Sequence, residues 1–135
     1  MKLFLDTNVL LRFYLRDYEE QFAQVKQLIT AIESGKHRPY ISTTVLLEMA
    51  YVLRKLYGLP KKEVLTAIRS VMGMRGLVVV DKAHTAGAIA LFAKKSIAFA
   101  DCILATQVRS DMTLVTFDQQ LAKLVRHAKT PAALV

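Results

Sequence analysis

Apolar residues fall into short compact runs separated by longer stretches in which they recur every three or four positions. Leu3-Phe4-Leu5 is one such run, closed by Asp6, and it predicts a buried strand. Asn8 to Arg16 reads as a short helix. From Glu19 to Glu33, Phe22, Val25, Leu28, Ile29 and Ile32 line one face of a longer helix that Gly35 stops. Pro39-Tyr40-Ile41 predicts a second strand. Ser42 or Thr43 can cap the next helix, which is expected to run to Tyr57 before Gly58-Leu59-Pro60 breaks it. A helix over Lys61 to Val71 ends near Gly73 and Gly76. Leu77-Val78-Val79-Val80 is β-branched and bounded by Gly76 and Asp81, so it predicts a third strand.

Helices are expected over Ala83 to Lys95 and Ala98 to Arg109, a strand over Thr113 to Thr116, and a short helix over Asp118 to Val125. The tail, Pro131 to Val135, reads as a last edge strand. Strands thus alternate with helices, and the strands are apolar without alternation, as when both faces are covered. The pattern predicts an α/β fold of three layers, α/β/α, around a central parallel sheet. With 135 residues, no repeat and no linker, one domain over residues 1–135 is expected.

Composition narrows the function classes. Hydrophobic residues make up 53% and charged residues 22%, a globular and not a disordered balance. The lone cysteine, Cys102, makes no intrachain disulfide and reads as a small core residue. His37, His84 and His127 are scattered, without zinc-ligand spacing, and read as surface or incidental residues. No apolar run approaches a membrane span, and Asp6 interrupts the first run before a signal-peptide core can form. A cytoplasmic protein without membrane contact is the expectation. The formal net charge of +8 suits a polyanionic partner such as nucleic acid.

Most of the 11 acidic residues sit at helix ends or turns. Four have odder surroundings. Asp6 and Asp118 each follow a strand and open a helix, so each can be an N-cap or can face the crevice where open α/β sheets bind ligands. Glu48 lies mid-helix among Val45, Leu46, Leu47, Met49 and Val52. Its carboxylate needs a partner there, either a metal ion or an arginine such as Arg12 or Arg54. Asp101 has Ile97, Ala98, Leu104 and Ala105 one turn away, with a helix cap as its alternative. If the four converge they repel one another, and a hard cation relieves that repulsion.

These segments resemble the PIN-domain family, and within it the VapC-type toxin ribonucleases of type II toxin–antitoxin systems. Leu5-Asp6-Thr7-Asn8-Val9-Leu10, Ile41 to Glu48, Phe99-Ala100-Asp101-Cys102-Ile103-Leu104-Ala105 and Leu114-Val115-Thr116-Phe117-Asp118 look like its four acidic motifs, in order. Cys102 stands where the third motif commonly has alanine, one small residue for another. The resemblance implies strand order 3-2-1-4-5, with Asp6 and Asp118 at the point where the order reverses. It implies that Asp6, Glu48, Asp101 and Asp118 ligand Mg²⁺ or Mn²⁺, with Asn8 and Thr116 as polar supports. It also implies hydrolysis of RNA to 5′-phosphate and 3′-hydroxyl ends, a cognate antitoxin and a homodimer.

Phe13, Tyr14 and Phe22 could serve such partner contacts or pack in the core. Arg12, Arg16, Lys36, Arg38, Arg54, Lys94 and Lys95 are candidates for RNA phosphates or for a merely solvated face. Two other functions stay open. A haloacid-dehalogenase-like phosphatase also places an Asp after its first strand, but wants a second Asp where Asn8 stands. A PIN-like RNA-binding or adaptor module without catalysis is the non-enzymatic alternative.

Overall fold

Leu3, Phe4 and Leu5 are fully buried, as their unbroken apolar run requires, and form β1 (Lys2–Leu5) at the centre of a five-stranded sheet. The structure, a computed structural model, describes all 135 residues. β1 leads into α1 (Thr7–Leu15) and α2 (Glu19–Glu33), then β2 (Arg38–Ser42), α3 (Thr43–Tyr51), α4 (Lys61–Met72) and β3 (Val78–Val80). The return half is α5 (Thr85–Lys94), α6 (Phe99–Gln107), β4 (Thr113–Val115), α7 (Gln119–Ala122) and β5 (Ala128–Lys129). The strand order is β3-β2-β1-β4-β5, and every pairing is parallel.

Parallel neighbours force crossovers, and the chain supplies helices for them. The path runs outward from β1 through β2 to β3, then returns to β4 and β5 on the other side of β1. Right-handed crossovers place the helices of these two halves on opposite faces. In keeping with that, α1 packs on α2 and α3, and α3 on α4, whereas α6 packs on α5 and α7. The register sets Leu3 beside Pro39 and Thr113, and Leu5 beside Val115. Both faces of the sheet are therefore covered, and Phe4, Ile41, Leu114 and Val115 are solvent-free. No helix is long and apolar enough to cross a membrane.

Four expectations are corrected. The tail is not an edge strand: β5 is Ala128–Lys129, and Pro131–Leu134 forms a 3₁₀ turn that packs against α2. Pro131 has no N–H to add to a ladder, and Leu134 is drawn into the core instead. His37 is not incidental; it is 7% exposed, and its Nε2 lies 3.2 Å from the Leu134 carbonyl oxygen. The helix after β2 does not stay α-helical to Tyr57. It ends at Tyr51 and widens into a π turn over Val52–Leu56, with the Tyr57 N–H reaching the Val52 carbonyl. That wider turn buries Leu53 and leaves Leu56 in solvent. The last helix is also shorter than the predicted Asp118 to Val125.

Phe13 and Tyr14 are partly buried against the core, and Phe22 packs on Phe13. The Phe13 ring stacks on Phe22 at 5.8 Å and meets Tyr14 edge-on at 5.6 Å. The exposed large apolar side chains lie elsewhere, with Leu47 and Tyr51 on α3 and Ile89 and Phe92 on α5.

Candidate metal centre

The sheet brings the ends of β1 and β4 side by side, and their pairing continues one step past the strands. The Asp6 N–H donates to the Val115 carbonyl at 3.0 Å. Asp6 is thereby fixed at the carboxyl edge of the sheet, where the strand order reverses, and is 5% exposed. Its Oδ1 accepts the Thr7 N–H at 2.8 Å, so it does cap α1. Its Oδ2 accepts the Thr116 hydroxyl at 2.7 Å. The same Thr116 oxygen accepts the Asp118 N–H at 2.9 Å. One threonine thus ties the two strand-end acids together.

Asp118 caps α7 through Oδ1, which accepts the Gln120 and Leu121 N–H groups at 2.9 and 3.1 Å. For both strand-end acids, then, capping and placement at the crevice coexist. A cap uses few of a carboxylate's lone pairs, so it leaves capacity for a cation.

Glu48 comes from α3, which Ser42 starts by accepting the Thr44 N–H at 3.1 Å. Met49 and Val45 anchor that helix in the core. Neither arginine considered for Glu48 reaches it. Arg12 pairs with Asp17 at 2.7 Å and lies over the Tyr18 ring, and Arg54 Nη1 donates to the Leu59 carbonyl at 3.3 Å. Glu48 Oε1 is buried with no hydrogen-bond partner. Thr7 is near enough to lower the Glu48 pKa slightly, yet its own buried hydroxyl completes no hydrogen bond of good geometry.

Asp101 sits in the first turn of α6, and its side chain makes no capping bond, so the cap reading fails for it. Cys102 beside it is fully buried. Asn8 is exposed, and its side chain finds no protein partner.

The acids sense one another. Burial pushes Glu48 up to about 7, with help from the charges of Asp101 and Asp6. Burial likewise raises Asp101 to about 6, with Asp6 and Asp118 adding to it. Asp6 is raised by burial, against the lowering effect of the Thr116 and Thr7 hydrogen bonds. The structure therefore brings all four predicted acids into one electrostatic neighbourhood. No three of them close to the spacing of a ready ligand cage.

The donor set fits a hard divalent cation: carboxylate oxygens, one of them buried and unpartnered, with no lysine or arginine ion-paired to them. Sequence reasoning passed over Thr7. Its only signal was a hydroxyl residue directly after the first acid, which is also a common helix-start residue.

The PIN domain model matches residues 3–126. The chain belongs to the PIN-domain family. No curated protein matches the sequence. Among solved structures, this PIN domain is similar to VapBC2 from Rickettsia felis, bound to a DNA fragment from its promoter (18% identity, TM-score 0.64, 96% of this chain and 98% of that one). It is also similar to PAE2754 from Pyrobaculum aerophilum, at 16% identity and TM-score 0.69, over 99% of this chain and 92% of that one. VapBC-1 from nontypeable Haemophilus influenzae aligns at 12% identity and TM-score 0.62, over 97% and 98% of the two chains. At such identities the likeness speaks for the fold.

Proposed function

We propose that this PIN domain is a divalent-metal-dependent endoribonuclease acting as the toxin of a toxin–antitoxin pair in the cytoplasm. The observation that carries the reading is Glu48: a buried carboxylate oxygen without a partner, on a helix that turns it toward two other acids. Asp6, Glu48, Asp101 and Asp118 are the ligands we assign to Mg²⁺ or Mn²⁺, directly or through water. When bound, the cation would acidify a water and offset charge on the phosphodiester.

The protein's own groups do the rest. Thr116 and the Thr7 N–H hold Asp6 in one orientation, so it presents fixed oxygens to the site. As water attacks phosphorus, the proton it loses passes to an ionised carboxylate of the site or to solvent. The new bond joins that oxygen to phosphorus, and the bond to the 3′ oxygen breaks. The leaving oxygen takes up a proton, giving 5′-phosphate and 3′-hydroxyl ends.

A nucleic-acid substrate is favoured by charge, and RNA by the motif resemblance. Subtracting the four acids leaves 11 − 4 = 7 acidic against 19 basic residues, a net of +12 outside the site. The antitoxin and homodimer assignments rest on the motif resemblance to VapC-type toxins and on two similar structures being of VapBC proteins. The exposed Leu47, Tyr51, Ile89 and Phe92 offer apolar area for such contacts.

The test is cleavage of single-stranded RNA with and without Mg²⁺, comparing the native chain with Asp6→Asn. Metal-dependent cutting abolished by Asp6→Asn is expected. Equal cutting by a folded Asp6→Asn chain would sink the mechanism, and calorimetry showing no divalent binding would favour a silent RNA-binding module.

A further inference from the structure

Beside the acid crevice lies a recess that none of the four acids lines. It has a volume of about 240 Å³ and lies between the linker joining α5 to α6 and the short α7. Lys95, Ser96 and Ile97 form one wall, and Gln120, Lys123 and Leu124 form the other. Both walls are continuous with elements that carry candidate ligands. Ile97 stands one turn before Asp101 in the chain, and the Gln120 N–H donates to Asp118 Oδ1 at 2.9 Å. The recess is therefore held in fixed relation to the acids by short stretches of backbone.

Its chemistry is that of an anion site. Two lysines, a glutamine and a serine are among the residues that line it, and no acidic residue is. Neither Lys95 nor Lys123 is in an ion pair; the pairs in the structure are Lys2–Asp111, Arg12–Asp17 and Arg109–Asp111. Beyond residue 81 the chain carries seven Lys or Arg and three Asp. Of those three, Asp111 is occupied by Lys2 and Arg109, and Asp101 and Asp118 belong to the crevice. Nothing else on this flank offsets the lysines. The volume far exceeds the ~30 Å³ share of one water, so a phosphate can enter with part of its ribose. Ile97 and Leu124 supply an apolar surface for the sugar.

We propose that this recess is a subsite for a backbone phosphate of single-stranded RNA, next along the strand from the phosphate at the acids. The inference rests on the ribonuclease reading of the crevice and assigns Lys95 and Lys123 the task of setting the strand's register. Phosphate contacts of this kind position a strand without reading its bases. Three of the other basic candidates are less available: Arg12 is paired, and Arg16 and Arg38 lie over the rings of Phe22 and Tyr40.

The experiment compares Lys95→Ala/Lys123→Ala with Lys61→Ala/Lys62→Ala, which removes two charges from α4 on the opposite layer. The probe is a fluorescein-labelled single-stranded RNA of mixed sequence, bound in the Asp6→Asn background with Mg²⁺ present. Loss of this one phosphate contact should make the salt dependence of log affinity shallower by about 0.7. In the otherwise native chain the recess pair should raise KM for cleavage with little change in kcat, and Lys95→Arg/Lys123→Arg should restore it.

An unchanged slope, or an equal change in the α4 control, overturns the subsite while leaving nuclease activity standing. Lost affinity for an acidic protein partner with an unchanged RNA slope overturns it too. A shallower slope, together with a native chain that cuts no RNA with Mg²⁺ present, would instead overturn the ribonuclease reading and leave the phosphate contact intact.

Discussion

The Thr116 hydroxyl donates to Asp6 Oδ2 across 2.7 Å while accepting the Asp118 N–H at 2.9 Å. A residue in a two-way bridge of this kind cannot be replaced by an isostere without orphaning both neighbours. Thr116→Val keeps the shape and removes the hydroxyl. It should cost about 1–3 kcal/mol of stability, through the buried carboxylate oxygen and the amide left unpaired. If Asp6 is a ligand, the same change should weaken Mg²⁺ affinity or cleavage by about 10- to 100-fold, the usual effect of losing a group that orients a ligand. Thr116→Ser should restore both. Denaturant melts together with Mg²⁺ titration decide it; a valine variant with native metal affinity would make Thr116 purely structural.

The sequence made the sheet legible because parallel strands buried on both faces leave continuous apolar runs, and four of the five strands are such runs. The fifth failed for a physical reason. Ala128–Lys129 is too short and too polar to show a pattern, and it exists because its backbone completes the edge of β4. The apolar tail residues that looked like a strand serve a turn over α2.

Among the acids, Glu48 and Asp101 stood out because a charge on an apolar helix face is costly wherever the helix packs. Asp6 and Asp118 could not be told from ordinary caps by sequence, and in the structure they are caps as well. The Thr116 bridge spans 110 residues in sequence and has no local signature.

The helix that carries Glu48 begins at a buried cap. Ser42 is 1% exposed, and its hydroxyl oxygen accepts the Thr44 N–H at 3.1 Å. Ser42→Ala should therefore lower stability by about 1 kcal/mol. Because Glu48 sits on the second turn of α3, fraying of the first turn should also loosen its position. Hydrogen exchange at Thr44 and Val45 is the direct check: faster exchange at both is expected, and exchange unaltered at Thr44 would show that the cap contributes nothing.

His37 links the sheet to the C-terminal turn. Burial lowers its pKa, so the folded state prefers the neutral ring, and acid charges it more readily when unfolded. The stability it contributes is present above the usual histidine pKa near 6.5 and is lost as pH falls through and below that value. His37→Gln keeps a donor for the Leu134 carbonyl and removes the titration. The wild-type melting temperature should fall faster than the variant's between pH 7 and pH 5. Parallel pH profiles would show that His37 does not titrate differently on unfolding.

The acid cluster has the opposite sign. Glu48 is raised from 4.5 to about 7, and Asp101 from 3.8 to about 6. Between these limits the folded protein holds more protons than the unfolded chain, so stability falls as pH rises. The benefit of the protonated acids is complete below about pH 4 and is lost as pH passes through 6 and 7. Glu48→Gln fixes the neutral state without changing the shape. Comparing it with the native chain also cancels the contribution of His37, which both carry.

Without divalent ions, Glu48→Gln should be more stable than the native chain at pH 8, by on the order of 2 kcal/mol, and equal to it near pH 4. Adding Mg²⁺ should reverse the ranking at pH 8. The cation replaces the proton in relieving repulsion, and only the native chain keeps all four carboxylates to bind it. Melting curves of both chains at the two pH values, with Mg²⁺ and with chelator, test every part of this. If Mg²⁺ raises the melting temperature of both chains equally at pH 8, Glu48 is not among the groups that hold the cation.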